Sequence, residues 1–493
     1  MRPCSIPLNA SVEDSSPITL SGIISALSFA LDLTEGAVAG HALRTCLLGM
    51  RLAAEAGIST VERRSLYYAL LLKDAGCSSN AARMCQILGG GDDRAVKAGV
   101  KLETWTKPHK PKLSTFRLLW KTVSPEANAW ERMARIGQIG LMQHRNNEEM
   151  IALRCDRGAS ILRKLSMGHA AAEAVRALDE HWDGSGYPER RRGEAIPLLG
   201  RICAVAQHLD VFATKHGAAK GLAVLCERSG HWFDPELVRI ACSLDREGRL
   251  WSEPHIEGVL EETRRAVLAI APSEAANLHA SEIDNICAAF AEVVDAKSPF
   301  TFQHSVGVAE AADRIAEEMG LAADRQRLVH RASLLHDLGK LSVPNSILDK
   351  PGKLTAGEWA VVQGHPGLSR QILRLLPGFA EVAAVAGEHH ERLDGTGYPD
   401  RIMGDDLRLE SRILSVADVY GALAEERPYR VALEVEQTLD IMEKLVPHQL
   451  DGDCFRALVR VLSGHVEQAS AQSLPPKLPL FPQVGGTSVL VFG

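Results

Sequence analysis

Residues 1–15 read as a flexible lead, and apolar residues then recur at the three- and four-residue spacing of an amphipathic helix from near Ile18 to about Leu72. An apolar helical run returns at Leu334-Leu335-His336-Asp337-Leu338-Gly339-Lys340, where a histidine and an aspartate stand side by side and a glycine and a lysine close the run. Continued as a helix, the run puts His336 and Lys340 one turn apart on one face, with Asp337 beside His336. The chemistry this pattern offers is a metal site with a cation next to it.

Laid over itself, the chain repeats. Asp32, His41 and Asp74 precede Asp295, His304 and Asp337 by a constant 263 residues. Farther along the separation becomes 211, and it matches Ile161-Leu162-Arg163 with Ile372-Leu373-Arg374, Asp183-Gly184-Ser185-Gly186-Tyr187-Pro188 with Asp394-Gly395-Thr396-Gly397-Tyr398-Pro399, and Arg201-Ile202 with Arg412-Ile413. Two copies of one domain are therefore expected, a first over 16–243 and a second over 281–465. The shift in separation places about 52 extra residues in the first copy, in a basic insert at about 80–150. There Lys97, Lys101, Lys107, Lys110, Lys112, Arg117 and Lys121 are interleaved with Trp105, Phe116 and Trp120. Basic residues among aromatics can hold single strands or an acidic partner; a solvated loop with a few docked aromatics is the expectation. Residues 244–280, broken by Pro254 and Pro272, read as a connector, and 466–493 as a proline-rich tail.

The copies differ in chemistry. Where the second has His336, His365, His389, His390 and Asp418, the first has Lys73, Arg154, Leu178, Asp179 and Gln207. Two of these replacements are cations where a cation would have to bind, so the first copy is expected to hold no metal pair and to serve packing or regulation.

Composition narrows the setting. With 55 basic and 62 acidic residues the net charge is −7, which gives no global attraction to nucleic acid or anionic membrane. No DNA or RNA partner is expected. The ten cysteines form no CxxC pair and read as reduced thiols. No apolar run reaches the roughly 18–20 residues of a membrane span, and no basic-then-apolar leader is present, so a cytoplasmic protein is expected.

The run around His336-Asp337, followed by Glu388-His389-His390-Glu391 and by Asp394 to Pro399, resembles the HD-GYP family of the HD phosphohydrolase superfamily, most of whose characterised members hydrolyse cyclic di-GMP. The resemblance covers 281–465 well and 16–243 as a degenerate copy. It implies an all-α fold of two tandem HD-type helical domains and a metal-dependent phosphodiesterase opening cyclic di-GMP to pGpG, with GMP as a further product. The implied ligands of two divalent ions, iron or manganese, are His304, His336, Asp337, His365, His389, His390 and Asp418. His336 and His365 would serve one ion and His304 or His390 the other, with Asp337 bridging. Phe300 stands where some members carry a glutamate for a third metal, which favours a binuclear site. Asp337 and Lys340 are the expected catalytic residues, and Lys340, Tyr398, Arg427 and Arg430 the expected substrate contacts. Gly421 departs from a family aspartate, a change expected to remove no ligand. Hydrolysis of another cyclic dinucleotide or nucleotide, and a signalling adaptor with weak turnover, are the alternative readings; a homodimer or a signalling partner protein is the association to look for.

Overall fold

The computed structural model describes residues 18–91 apart from 37, 113–251 apart from 126, 260–273, 278–426 apart from 302, and 432–471. Among them there is no β-strand, only two isolated bridges, Ser229 to Phe233 and Asp394 to Met403. In the first half the helices are α1 (Leu20–Glu35), α2 (His41–Glu55), α3 (Thr60–Leu72), α4 (Ala81–Ile87), α5 (Leu113–Thr122), α6 (Ala129–Lys164), α7 (His169–Arg176), α8 (Leu198–His216), α9 (Ala218–Glu227), α10 (Pro235–Arg246) and α11 (Leu260–Ala269). In the second half they are α12 (Ala280–Asp295), α13 (His304–Glu318), α14 (Ala323–Leu335), α15 (Asn345–Leu348), α16 (Ala356–Gln363), α17 (His365–Leu373), α18 (Ala380–Glu388), α19 (Leu409–Ala424), α20 (Val435–Glu443) and α21 (Gly452–Ala471).

The repeat in sequence is a repeat in structure. α2 and α13 have the same length and begin on His41 and His304, and α3 and α14 likewise match residue for residue. In both copies a carboxylate in the last turn of the first helix caps the second: Asp32 accepts from the Ala42 amide and Asp295 from the Ser305 amide, each at 3.0 Å. Burial raises both carboxyls to about 7. Sequence capping also sets starts elsewhere, with Ser59 and Glu62 opening α3 and Thr355 and Glu358 opening α16.

The run around His336 ends differently from the continuous helix expected. α14 stops at Leu335, His336 forms its end, and Leu338–Ser342 is a tight 3-10 turn. The cause is Gly339. A side chain there would stand 2.1 Å from the His365 carbonyl, so the backbone must press against the start of α17. Ser369 Oγ locks the junction, accepting from the Gly339 amide at 2.8 Å and donating to the His336 carbonyl at 2.7 Å. The first copy keeps this approach, with Gly76 against the Arg154 carbonyl.

α1 is buried on nearly every side from Ile23 to Thr34. It packs against the Leu338–Ser342 turn and α17 of the second copy as well as against α2, α3 and α11 of its own. α12 reciprocates by packing on the first copy's Cys77–Asn80 turn and on α6. One hydrophobic cluster consequently runs through both copies. The connector joins in: α11 buries Val267 and sends Arg264 to Ser25 Oγ, 3.3 Å away.

The insert is more ordered than a solvated loop in its second part. α5 and the 36-residue α6 form a small core of Leu88 and Val123 with Met84, Leu119, Ile136 and Ile139. Phe116 stacks on Trp120, and Arg132 lies over Trp120. Lys97, Lys101, Trp105, Lys107, Lys110 and Lys112 lie outside the described residues, as does the tail beyond 471.

Candidate metal centre and active site

Seven side chains from five places in the second copy converge. His304 opens α13, His336 and Asp337 sit at the α14 corner, His365 opens α17, His389 and His390 follow α18, and Asp418 lies within α19. Their ligand atoms form three overlapping groups of the size a metal ion needs: His304, His336 and Asp418; His365, His389 and His390; and His336, Asp337 and His389. Asp337 stands between. Its Oδ2 is 3.3 Å from His336 Nε2 and 3.9 Å from His304 Nε2, while its Oδ1 is 3.2 Å from His365 Nε2 and 3.8 Å from His389 Nε2. Asp418 Oδ1 lies 3.3 Å from His304 Nε2, and its Oδ2 is 3.8 Å from His390 Nδ1. The expected pairing of His336 with His365 is thus not the grouping found. The His336 ring lies 4.8 Å from that of His389 and 5.6 Å from that of His304, and the His365 ring lies with the rings after α18.

The surrounding bonds aim these rings. Nδ1 of His336, His365 and His389 donates to the carbonyls of Ser333, Val362 and Ala386 at 2.6, 2.7 and 2.7 Å. Each such bond leaves the Nε2 lone pair pointing into the centre. His336 Nε2 and Asp337 Oδ1 are buried without a well-formed hydrogen bond, which is costly unless a further group completes them.

Electrostatics favours the same conclusion. Burial pushes His365 below the usual histidine range, and His389 and His390 well below it. For His336 burial acts the same way, but attraction to Asp337 and Asp418 outweighs it and holds the group above that range. Burial would raise Asp337 and Asp418, yet neighbouring imidazoles, joined at Asp337 by Lys340, hold both well below the usual carboxylate range. The lowered imidazoles of His365, His389 and His390 beside ionised carboxylates are donors of the kind that a borderline divalent cation prefers. The residues fit two such ions.

Lys340 donates from Nζ to Asp337 Oδ2 at 2.5 Å, so the 3-10 turn, rather than a shared helical face, brings it to the centre. Tyr398 leans on His390 with ring centroids 4.8 Å apart. Gly395 takes a left-handed φ of 73°, and a side chain at Gly397 would stand 2.4 Å from the Arg392 amide nitrogen, so both glycines are required. Arg427 and Arg430 lie outside the described residues.

Three contributors had not been singled out from sequence. Glu391 holds the glycine loop by accepting from the Asp400, Arg401 and Ile402 amides at 2.7, 3.1 and 3.0 Å. Its repeat partner Glu180 does the same for Glu189 and Arg191, a recurrence that was visible in the chain. Trp359 packs edge-on to Tyr398 at 6.0 Å while 45% exposed, extending an aromatic ledge from the centre to solvent. Glu425 contacts His304.

The first copy fills the same space with ion pairs. Lys73 is buried against Asp74, Arg154 pairs with Asp179, and His41 Nδ1 and Arg44 both bind Asp210. An ammonium therefore neutralises Asp74, the counterpart of Asp337, and a guanidinium neutralises Asp179, which stands in place of His390.

Comparison with known proteins agrees with this geometry. The HD domain family model matches residues 142–237 and 288–454. The 3′3′-cGAMP-specific phosphodiesterase 3 of Vibrio cholerae serotype O1 is 40% identical over 447 residues, covering 90% of this chain and 95% of that protein. A crystal structure of the V. cholerae cyclic GMP-AMP specific phosphodiesterase V-cGAP3 aligns with a TM-score of 0.60 at 35% identity, over 91% of this chain and 98% of the other. The cyclic di-GMP phosphodiesterase response regulator RpfG of Xanthomonas campestris pv. campestris is 40% identical over 148 residues, 30% of this chain and 39% of that protein. Among the described residues no helix is long and apolar enough to cross a membrane. With both copies aligned to such a relative, and the histidine–aspartate corner and glycine loop built as described, the chain belongs to the HD-GYP family of phosphodiesterases.

Proposed function

We propose that the second copy hydrolyses 3′3′-cGAMP to a linear dinucleotide. The observation that carries the choice of substrate is the match to a 3′3′-cGAMP-specific relative across both copies, the degenerate first copy included. Cyclic di-GMP, the substrate implied by the sequence resemblance, stands as the second reading, supported by relatives of that name that match shorter stretches.

In this reading His304, His336 and Asp418 would hold one divalent ion and His365, His389 and His390 the other, with Asp337 between the two groups available to both. Iron and manganese suit an imidazole and carboxylate set without thiolate. Bound there, the ions supply Lewis acidity and bring the pKa of a water toward neutrality. The protein's own part is positioning and charge. Carbonyl bonds at Nδ1 hold three imidazoles in register. Lys340 presents an ammonium beside Asp337, where it stabilises charge growing on the phosphoryl oxygens. Arg427 and Arg430, which follow the Asp418 helix in sequence, are proposed as phosphate contacts. Tyr398 and Trp359 offer faces on which the two bases stack.

The test is turnover by the full chain, loaded with Mn²⁺ or Fe²⁺, on 3′3′-cGAMP, cyclic di-GMP and cyclic di-AMP. Fastest opening of 3′3′-cGAMP is expected; faster cyclic di-GMP opening would install the second reading, and metal-loaded protein inert toward all three would leave an adaptor role. The ledge makes its own prediction. Base stacking on an aromatic is worth about 1–3 kcal/mol, so Trp359→Ala should raise KM by roughly five- to 150-fold while metal content stays at the parent level. An unchanged KM would remove Trp359 from the substrate path.

A further inference from the structure

The internal repeat makes one comparison that no single copy allows. His41 and His304 are equivalent residues, each opening the second helix of its copy. In the first copy Nδ1 of His41 lies 2.6 Å from Asp210 Oδ2, a buried carboxylate on α8. The 211-residue separation that relates α8 to α19 puts Gly421 opposite Asp210. Glycine has no side chain to offer, so although the change removes no expected ligand, it takes away from His304 the partner that Asp210 is to His41. Yet His304 is not left without one. Glu425, four residues on, places Oε1 and Oε2 at 3.0 and 2.9 Å from His304 Nδ1, with its side chain 11% exposed.

We infer that Glu425 is the positioning residue for His304, replacing by a shift of one helical turn the carboxylate that the repeat places at position 421. Residues four apart share a helix face, and the additional methylene of glutamate supplies reach from the end of α19, whose last residue is Ala424. The bond to Nδ1 fixes the tautomer and directs Nε2 toward Asp418, 3.3 Å away, and Asp337, 3.9 Å away. His336, His365 and His389 use carbonyls for this purpose, so His304 receives a more basic partner than those three. The inference rests on the proposed metal reading for its consequence and on the hydrogen bond alone for its geometry.

The test uses the full chain with Glu425→Ala, Glu425→Gln and the double variant Gly421→Asp/Glu425→Ala. Two quantities are read: Mn²⁺ affinity by chelator competition, and the tautomer of His304 by NMR of ¹⁵N-histidine-labelled, metal-free protein, with the thermal midpoint as a check on folding. Loss of such an outer partner typically costs about 10–100-fold in metal affinity. Glu425→Ala should show that loss at a near-parental midpoint, along with loss of the Nδ1–H form of His304. Glu425→Gln, which keeps an acceptor, should recover part of both, and the double variant most of both. Parental affinity and tautomer in Glu425→Ala would overturn the inference, as would a folded Gln variant and a folded double variant that recover nothing. If the parent takes up no Mn²⁺, the metal reading fails, and the His304 tautomer still decides the role of Glu425.

Discussion

Asp337→Ala should abolish turnover and strip metal, while Asp74→Ala, the same change in the first copy, should leave metal content untouched. Asp337 is buried, its two oxygens face different histidine groups, and one of them also carries Lys340. Its removal takes away the shared carboxylate and leaves an ammonium next to imidazoles, so cation repulsion replaces cation binding. Loss of one transition-state stabilising group alone costs on the order of a hundred- to a thousandfold, and here the metals go with it. Asp74 instead neutralises Lys73, whose side chain has no exposure. Removing one partner of a buried pair costs about 3–5 kcal/mol, so Asp74→Ala should lower the thermal midpoint with no change in metal per chain. Metal analysis of the two purified variants beside the parent checks both halves. Equal loss of metal would mean that the first copy also binds it.

The second large effect is expected from cutting the chain to residues 275–493. That fragment keeps all seven ligand residues and loses α1, which packs on the turn following Asp337 and on α17, the helix opened by His365. Leu338 and Leu341 on that turn are fully buried in the cluster that spans both copies. A buried leucine side chain is worth about 1.5–3 kcal/mol relative to exposure, so uncovering this surface destabilises the corner that holds His336 and Asp337. The exposed apolar face also favours self-association. A lower thermal midpoint, aggregation or a new oligomer by light scattering, and reduced activity should follow. A monomeric fragment as stable and active as the full chain would defeat the proposal that the first copy is a scaffold, and would shift attention to partner binding through the basic insert.

Much of this protein is legible without coordinates because its chemistry is carried by residue types with few substitutes. Imidazole, carboxylate and the glycines of a tight loop are recognisable one by one, and a repeated spacing exposes both the duplication and the loss of ligands from the first copy. Helical periodicity likewise announced α1 to α3, since burial of one face leaves its mark at every third or fourth position. In the insert the same rule was obscured by lysines and aromatics, and α5 with the long α6 emerged only in the fold.

What the order of residues determined by itself was the candidate donor set, the all-α tandem and the unequal chemistry of the copies. Only the folded molecule shows how these side chains group in space. His336 groups with His304 and Asp418 and with Asp337 and His389, and Gly339 lies against the His365 backbone; no local pattern encodes contacts between segments some thirty residues apart. The same holds for Glu425. Its four-residue distance from Gly421 is plain in the sequence, but its meaning depends on the end of α19 lying beside the first turn of α13, a juxtaposition created by tertiary packing. Hydrogen bonds and Coulomb attraction act over a few ångströms of space, whatever the number of residues between the partners.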